Sequence, residues 1–167
     1  MKKPWNIWKW ITAILFVLYM LLLCKFILFK KPLSSVYNHF TKHYNLKAVK
    51  DNLHQSNVTP FTTIRLYWNS HMRAEYRISN LIGNLVGFVP LGIFLPLLFK
   101  RCRNWKTILL IFLISLLFET IQLVGVLGSF DVDDLLLNTL GGAIGYGLFA
   151  VLFKAPAPDS DLNLKAI

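Results

Sequence analysis

Four apolar runs organise the chain: Trp10–Phe29, Leu81–Phe99, Thr107–Leu127 and Leu135–Phe153. A hydrocarbon core about 30 Å thick takes roughly 20 apolar residues in helical form, so each run is long enough to span it. The first follows a basic start. It is too long for a signal-peptide core and no small-residue cleavage site follows, so a retained helix is expected. The pattern predicts an all-α, polytopic membrane helical bundle of about four transmembrane helices, with a long outer loop between the first and second. The chain then divides into 1–30 (N-terminal segment and first helix), 31–79 (extracytoplasmic loop), 80–154 (three-helix membrane core) and 155–167 (short cytoplasmic tail).

Polar positions inside these runs keep helical spacing. In the third run Ser115, Glu119 and Gln122 stand at i, i+4 and i+7 and share one face. In the fourth, Asp134, Asn138, Gly141 and Gly145 share a face, with Gly142 beside it. Gly141 and Gly145 form a GxxxG, which lets another helix approach closely. In the second, Asn80, Asn84, Gly87 and Leu91 share a face, Gly83 and Gly87 form a second GxxxG, and Pro90 removes a backbone hydrogen bond and predicts a kink. Asp131 stands where it would cap the start of the fourth helix. Glu119 precedes Leu127 by two turns, about 12 Å at 1.5 Å per residue. Asn84, Gln122 and Asn138 fall at similar depth, so a common polar cluster would offset the cost of burying them. The plainer reading makes Asn84, Gln122 and Asn138 interhelical glue, the glycines packing surfaces and Asp131 only a cap. A carboxyl is a costly choice for glue, which singles out Glu119.

Composition sharpens this picture. The chain is 55% hydrophobic and only 16% charged, too apolar for a small soluble domain. Its net charge of +10 invites a nucleic-acid reading. The bases flank the apolar runs, however, where they set orientation and meet anionic lipid, and no nucleic-acid partner is expected. Lys2, Lys3 and Lys9 precede the first run, and Lys100, Arg101, Arg103 and Lys106 separate the second from the third. The third and fourth are joined through Asp131, Asp133 and Asp134. These short connections place both termini in the cytoplasm and the acidic loop outside. Against them, the stretch from Lys30 to Ser79 carries eight Lys or Arg.

Other features call for no special chemistry. Trp5, Trp8, Trp10, Tyr67, Trp68, Tyr76 and Trp105 lie near span ends, as an aromatic belt would. Cys24 and Cys102 imply no disulfide framework. His39 and His43 have i, i+4 spacing, but His39, His43, His54 and His71 share the loop with only Asp51 and Glu75 at no metal-ligand spacing. No metal and no cofactor are expected. The segment Asn57–Ile64, "NVTPFTTI", is apolar enough to pack down on the bundle or lie at the interface.

"IGNLVGFVPLG", "FETIQ", "FDVDDLLLNTLGGAIG" and, in the loop, "NVTPF" together resemble the VanZ-like family of small bacterial membrane proteins. The resemblance covers about Asn57–Phe153. It implies signature polar residues at Asn84, Glu119, Gln122, Asp131, Asp134 and Asn138, with Gly141 and Gly142. Many members carry an Arg just before the Asp-x-x-Asp element. Here the sequence reads "LGSF", with no base, so either another base such as Arg73 or Arg77 pairs with the acids or they stay unpaired. The resemblance further implies a bacterial plasma-membrane protein associated with lowered susceptibility to teicoplanin-type glycopeptides, with no reaction assigned.

Three functions compete. One is an envelope protein whose outward-facing polar site binds a membrane lipid, a lipoglycopeptide or a partner. The second is an intramembrane enzyme acting on an envelope lipid, with Glu119 as acid/base and Asp131 or Asp134 as base or metal ligand. The third is a proton-coupled transporter with Glu119 as relay. The apolar inner halves "LGIFLPLLF" and "YGLFAVLF" offer no polar path and rank transport last.

Overall fold

A computed structural model describes residues 7–29, 36–37, 40–41, 44–69 and 74–153, with side chains described except at 67–69 and 74–79. Among the described residues the long elements in order are α1 (Ile7–Leu28), α2 (Leu46–His54), α3 (Thr62–Asn69), α4 (Ala74–Leu98), α5 (Lys106–Gly125) and α6 (Val132–Leu152). Four of them, α1, α4 from Asn80, α5 and α6, are long and apolar enough to cross a membrane. They match the four apolar runs. The long loop between α1 and α4 is more structured than its sequence suggests, because it contains α2 and α3.

The glycines of α6 explain the tightest packing. A Cβ on Gly141 would lie 1.9 Å from the Leu85 carbonyl oxygen, and one on Gly145 would lie 1.9 Å from that of Val89. The α4 backbone therefore occupies the space a side chain would need. The pairs advance together, so α4 and α6 run parallel. Gly92 completes the seam, since a Cβ on it would meet the Gly142 carbonyl oxygen at 2.1 Å, while a Cβ on Gly142 would lie 2.5 Å from the Ile111 side chain of α5. The Gly83/Gly87 pair does not serve the expected close approach. Gly83 has open space where a Cβ would sit, and Gly87 meets only the Leu23 side chain at 3.6 Å. Close approach needs a helix opposite, and among the described residues none lies against Gly83.

Helix α4 continues through Pro90 and Pro96. Pro90 supplies no N–H to its preceding turn, and there the Tyr19 hydroxyl of α1 donates to the Gly87 carbonyl at 2.7 Å. Around this contact Leu23, Ile27, Phe88, Leu91, Leu95, Ile111 and Phe118 form the core. Phe88 and Phe118 meet edge to face at 6.2 Å. At the opposite end Arg103 Nε donates to the Pro96 carbonyl at 3.1 Å, tying down a carbonyl near the end of α4, and its guanidinium lies over the Phe149 ring. Trp8, Trp10 and Trp105 are exposed near helix ends. Cys24 and Cys102 are free.

Helix α5 ends with Val126 in left-handed backbone (φ 51°). Leu127 N–H donates to the Gln122 carbonyl and Val126 N–H to the Leu123 carbonyl, the paired bonds of a Schellman motif. Asn52 of α2 reinforces this end. Its Nδ2 donates to the carbonyls of Leu123 (2.9 Å) and Gly128 (2.8 Å).

Candidate functional site

The connection from α5 to α6 gathers the acids. Asp131 is the N-cap of α6, and its Oδ1 accepts the Asp133 N–H at 2.9 Å. Glu119 is only 1% exposed. Its Oε2 accepts the Asp131 main-chain N–H at 2.9 Å, so a carboxylate from inside α5 fixes the residue that starts α6.

The loop segment 57–64 closes over this start. Asn57 N–H donates to the Phe130 carbonyl (2.8 Å) and Val132 N–H to the Asn57 carbonyl (3.0 Å), an isolated parallel bridge between Asn57 and Asp131. Asn57 Nδ2 donates to Asp131 Oδ1 at 2.9 Å, and the Thr63 hydroxyl donates to Asp131 Oδ2 at 2.6 Å. Asn57 Oδ1 in turn accepts the Thr59 N–H at 3.0 Å, shaping the turn that carries Pro60 and Phe61. The expectation that this segment packs onto the bundle holds, and the contacts are polar.

Asp133 is the residue that sequence reasoning missed. It is fully buried. Its Oδ1 accepts the Phe61 N–H (2.5 Å) and its Oδ2 accepts the N–H groups of Thr63 (2.7 Å) and Ile64 (3.1 Å). These donors open α3, whose first N–H groups have no partner within the helix. A carboxylate from α6 therefore caps α3 from another element and meets the positive end of its dipole. Phe61 adopts a left-handed backbone (φ 67°), uncommon for a bulky residue, and the bond from its N–H to Asp133 helps hold it there. Three acids in four positions at one helix start were a signal, since a single N-cap needs only one.

The remaining expected residues do not all join this junction. Asn138 is buried on α6 and its Nδ2 donates to the Ser115 hydroxyl of α5 at 2.9 Å. Gln122 turns toward α1, where its Nε2 donates to the Ile27 carbonyl at 2.8 Å, a carbonyl near the end of that helix. Asn84 lies on α4 with its Nδ2 buried and unbonded, as is Asn138 Oδ1. Asp134 is half-buried in the first turn of α6. Of the polar groups expected at common depth, Glu119 bonds to Asp131, Asn138 to Ser115, and Gln122 to Ile27 of α1.

Among the described residues no group of three or more His, Cys, Asp or Glu could hold a metal ion. His54 ends α2. His39, His43, His71, Arg73, Trp5, Lys30, Lys31 and 154–167 lie outside the described residues, as do the side chains of Glu75, Tyr67, Trp68, Tyr76 and Arg77.

Four apolar helices around a buried carboxyl, with a loop held to the start of the last helix, define a polytopic α-helical membrane protein with a polar junction at one end of its bundle. The chain belongs to the VanZ/LLP1 family, whose model matches residues 16–153. That match begins inside α1 and takes in the whole outer loop. Among curated relatives, Protein VanZ of Enterococcus faecium is 32% identical over 117 residues, covering 69% of this chain. The match spans 65% of that relative's own length. No solved structure matches.

Proposed function

We propose that this chain is an envelope protein of the bacterial plasma membrane, with both termini cytoplasmic, that modulates susceptibility to teicoplanin-type glycopeptides. Its polar junction faces outward and engages an envelope lipid, a lipidated drug or a partner protein. One observation carries the reading: a buried membrane-helix carboxylate, Glu119, is bound to the same turn, at Asp131, that receives the outer segment 57–64. The junction thereby joins the membrane interior to the part of the chain that the short-loop charges place outside. The association with glycopeptides rests on family membership and on the likeness to Protein VanZ.

The second reading is an intramembrane enzyme that modifies an envelope lipid with Glu119 as acid/base. Of its two proposed helpers, Asp131 and Asp134, the first already accepts hydrogen bonds at both oxygens, which counts against Asp131 in that role. Lipid and wall-precursor extracts of cells with and without the chain separate the two. Binding leaves their composition unchanged. A new species in large molar excess over the protein would establish the enzyme instead.

Glu119→Gln keeps the volume and one carbonyl acceptor but removes the ionisable carboxyl group. The variant is expected to reach the membrane at wild-type level and to lose the susceptibility shift, in a host where the wild type gives one. Glu119→Asp is expected to keep part of it. Full activity of Glu119→Gln at matched levels would reduce Glu119 to a packing and hydrogen-bonding residue.

A further inference from the structure

We propose that residues 40–41 and 44–54 form a docking surface for the headgroup layer of an anionic bilayer, with Leu46 and Leu53 entering its apolar boundary and Lys47 and Lys50 meeting lipid phosphates. The proposal requires that α5 cross a bilayer. It does not require the glycopeptide reading, which the Glu119 variants test separately.

Position is the first ground. Asn52 is bonded to the Leu123 and Gly128 carbonyls at the end of α5. The Phe40 ring reaches Gly125, whose added Cβ would lie 3.9 Å from the ring tip. The segment is therefore fixed at the level where a spanning helix ends, which is where a bilayer changes from hydrocarbon to headgroups.

The distribution of side chains around α2 is the second. Asn45 caps this helix by accepting the Ala48 N–H at 2.9 Å. Ala48, Val49 and Asn52 are half-buried and form the face toward the bundle. Leu46 and Leu53, at i and i+7, flank that face, yet are 89% and 56% exposed. Lys50 follows next around the helix, then Lys47, and Asp51 stands farthest from the leucines; all three are exposed. An apolar strip edged by bases on a short helix at a span end fits the membrane interface, where apolar side chains sink to the acyl boundary and lysines meet phosphate. Phe40 and Tyr44, with ring centroids 5.6 Å apart and both exposed, add aromatic surface of the kind that favours headgroup depth.

The test uses the full chain with Cys24→Ala and Cys102→Ala, reconstituted in vesicles of phosphatidylcholine with phosphatidylglycerol. A bimane label is placed in turn at Leu46→Cys, Leu53→Cys and Asp51→Cys. Labels at Leu46 and Leu53 are expected to be quenched by nitroxide-labelled lipids and shielded from aqueous iodide, with the reverse at Asp51. Quenching at Leu53 is expected to favour labelled phosphatidylglycerol over labelled phosphatidylcholine, and each of Lys47→Gln and Lys50→Gln to lower that preference by about five-fold. Iodide access at both leucines, as at Asp51, would overturn the docking surface and leave these residues for a protein partner. Equal quenching by both lipids, unchanged in the lysine variants, would overturn the anionic preference. Leu46 and Leu53 are independent sites, so failure of one labelled variant to fold leaves the test intact.

Discussion

Helix α6 is held in two different ways along its length. Its middle is held by shape: Gly141 and Gly145 bring it against the α4 backbone, with no room for a methyl group. Its start is held by charge and hydrogen bonds, through Glu119 to Asp131 and through Asp131 and Asp133 to segment 57–64. The difference teaches where change is tolerated. A backbone seam has no flexible partner to move aside, and helix association in lipid relies on such close contact because lipid tails are as apolar as leucine. The start of α6 is anchored redundantly, so loss of one anchor should release part of it and leave the bundle assembled.

Substitutions at three positions break or sharpen this contrast. Gly141→Leu should have the largest effect. Its Cβ alone would overlap the Leu85 carbonyl, so α4 and α6 must separate; loss of folded protein from detergent extracts is expected, measured by size exclusion and thermal unfolding. A stable Gly141→Leu protein would show that the seam is not where α6 is held.

Asp133→Ala comes next. It leaves the part-buried N–H groups of residues 61, 63 and 64 without their acceptor, at about 1–3 kcal/mol for each one that stays dry. Amide exchange at 61–66 should accelerate strongly while the α4–α6 seam stays protected. Asp133→Asn keeps one carbonyl acceptor and should fall between wild type and Ala. Uniform loss of protection across the bundle would mean that the two regions are one cooperative unit.

Gly83→Ala should be the smallest. An added methyl meets nothing within 4 Å, so a change within about 0.5 kcal/mol is expected in thermal unfolding. A large loss would reveal a partner against Gly83, such as a second copy, and would move the glycine contrast from within the chain to between chains.

Part of this architecture is legible in the amino-acid sequence alone. Apolar runs of spanning length report directly on solvent, because a helix satisfies its own backbone and needs no neighbour to justify twenty apolar side chains. Helical spacing likewise places Ser115, Glu119 and Gln122 on one buried face, and Asp131 at a helix start. Spacing within one helix says nothing of the partner across the gap. Only the tertiary structure separates Gln122, bonded to α1, from Glu119, bonded to the start of α6. The same limit applies to the glycines: the two GxxxG pairs look equivalent in sequence, and the fold sets a backbone against Gly141 and Gly145 and open space beside Gly83. Asp133 is the extreme case. Its role depends on a segment about 70 residues away whose N–H groups are invisible in side-chain chemistry. Local periodicity therefore determined which residues leave water, while long-range backbone contacts decided what each buried polar group binds.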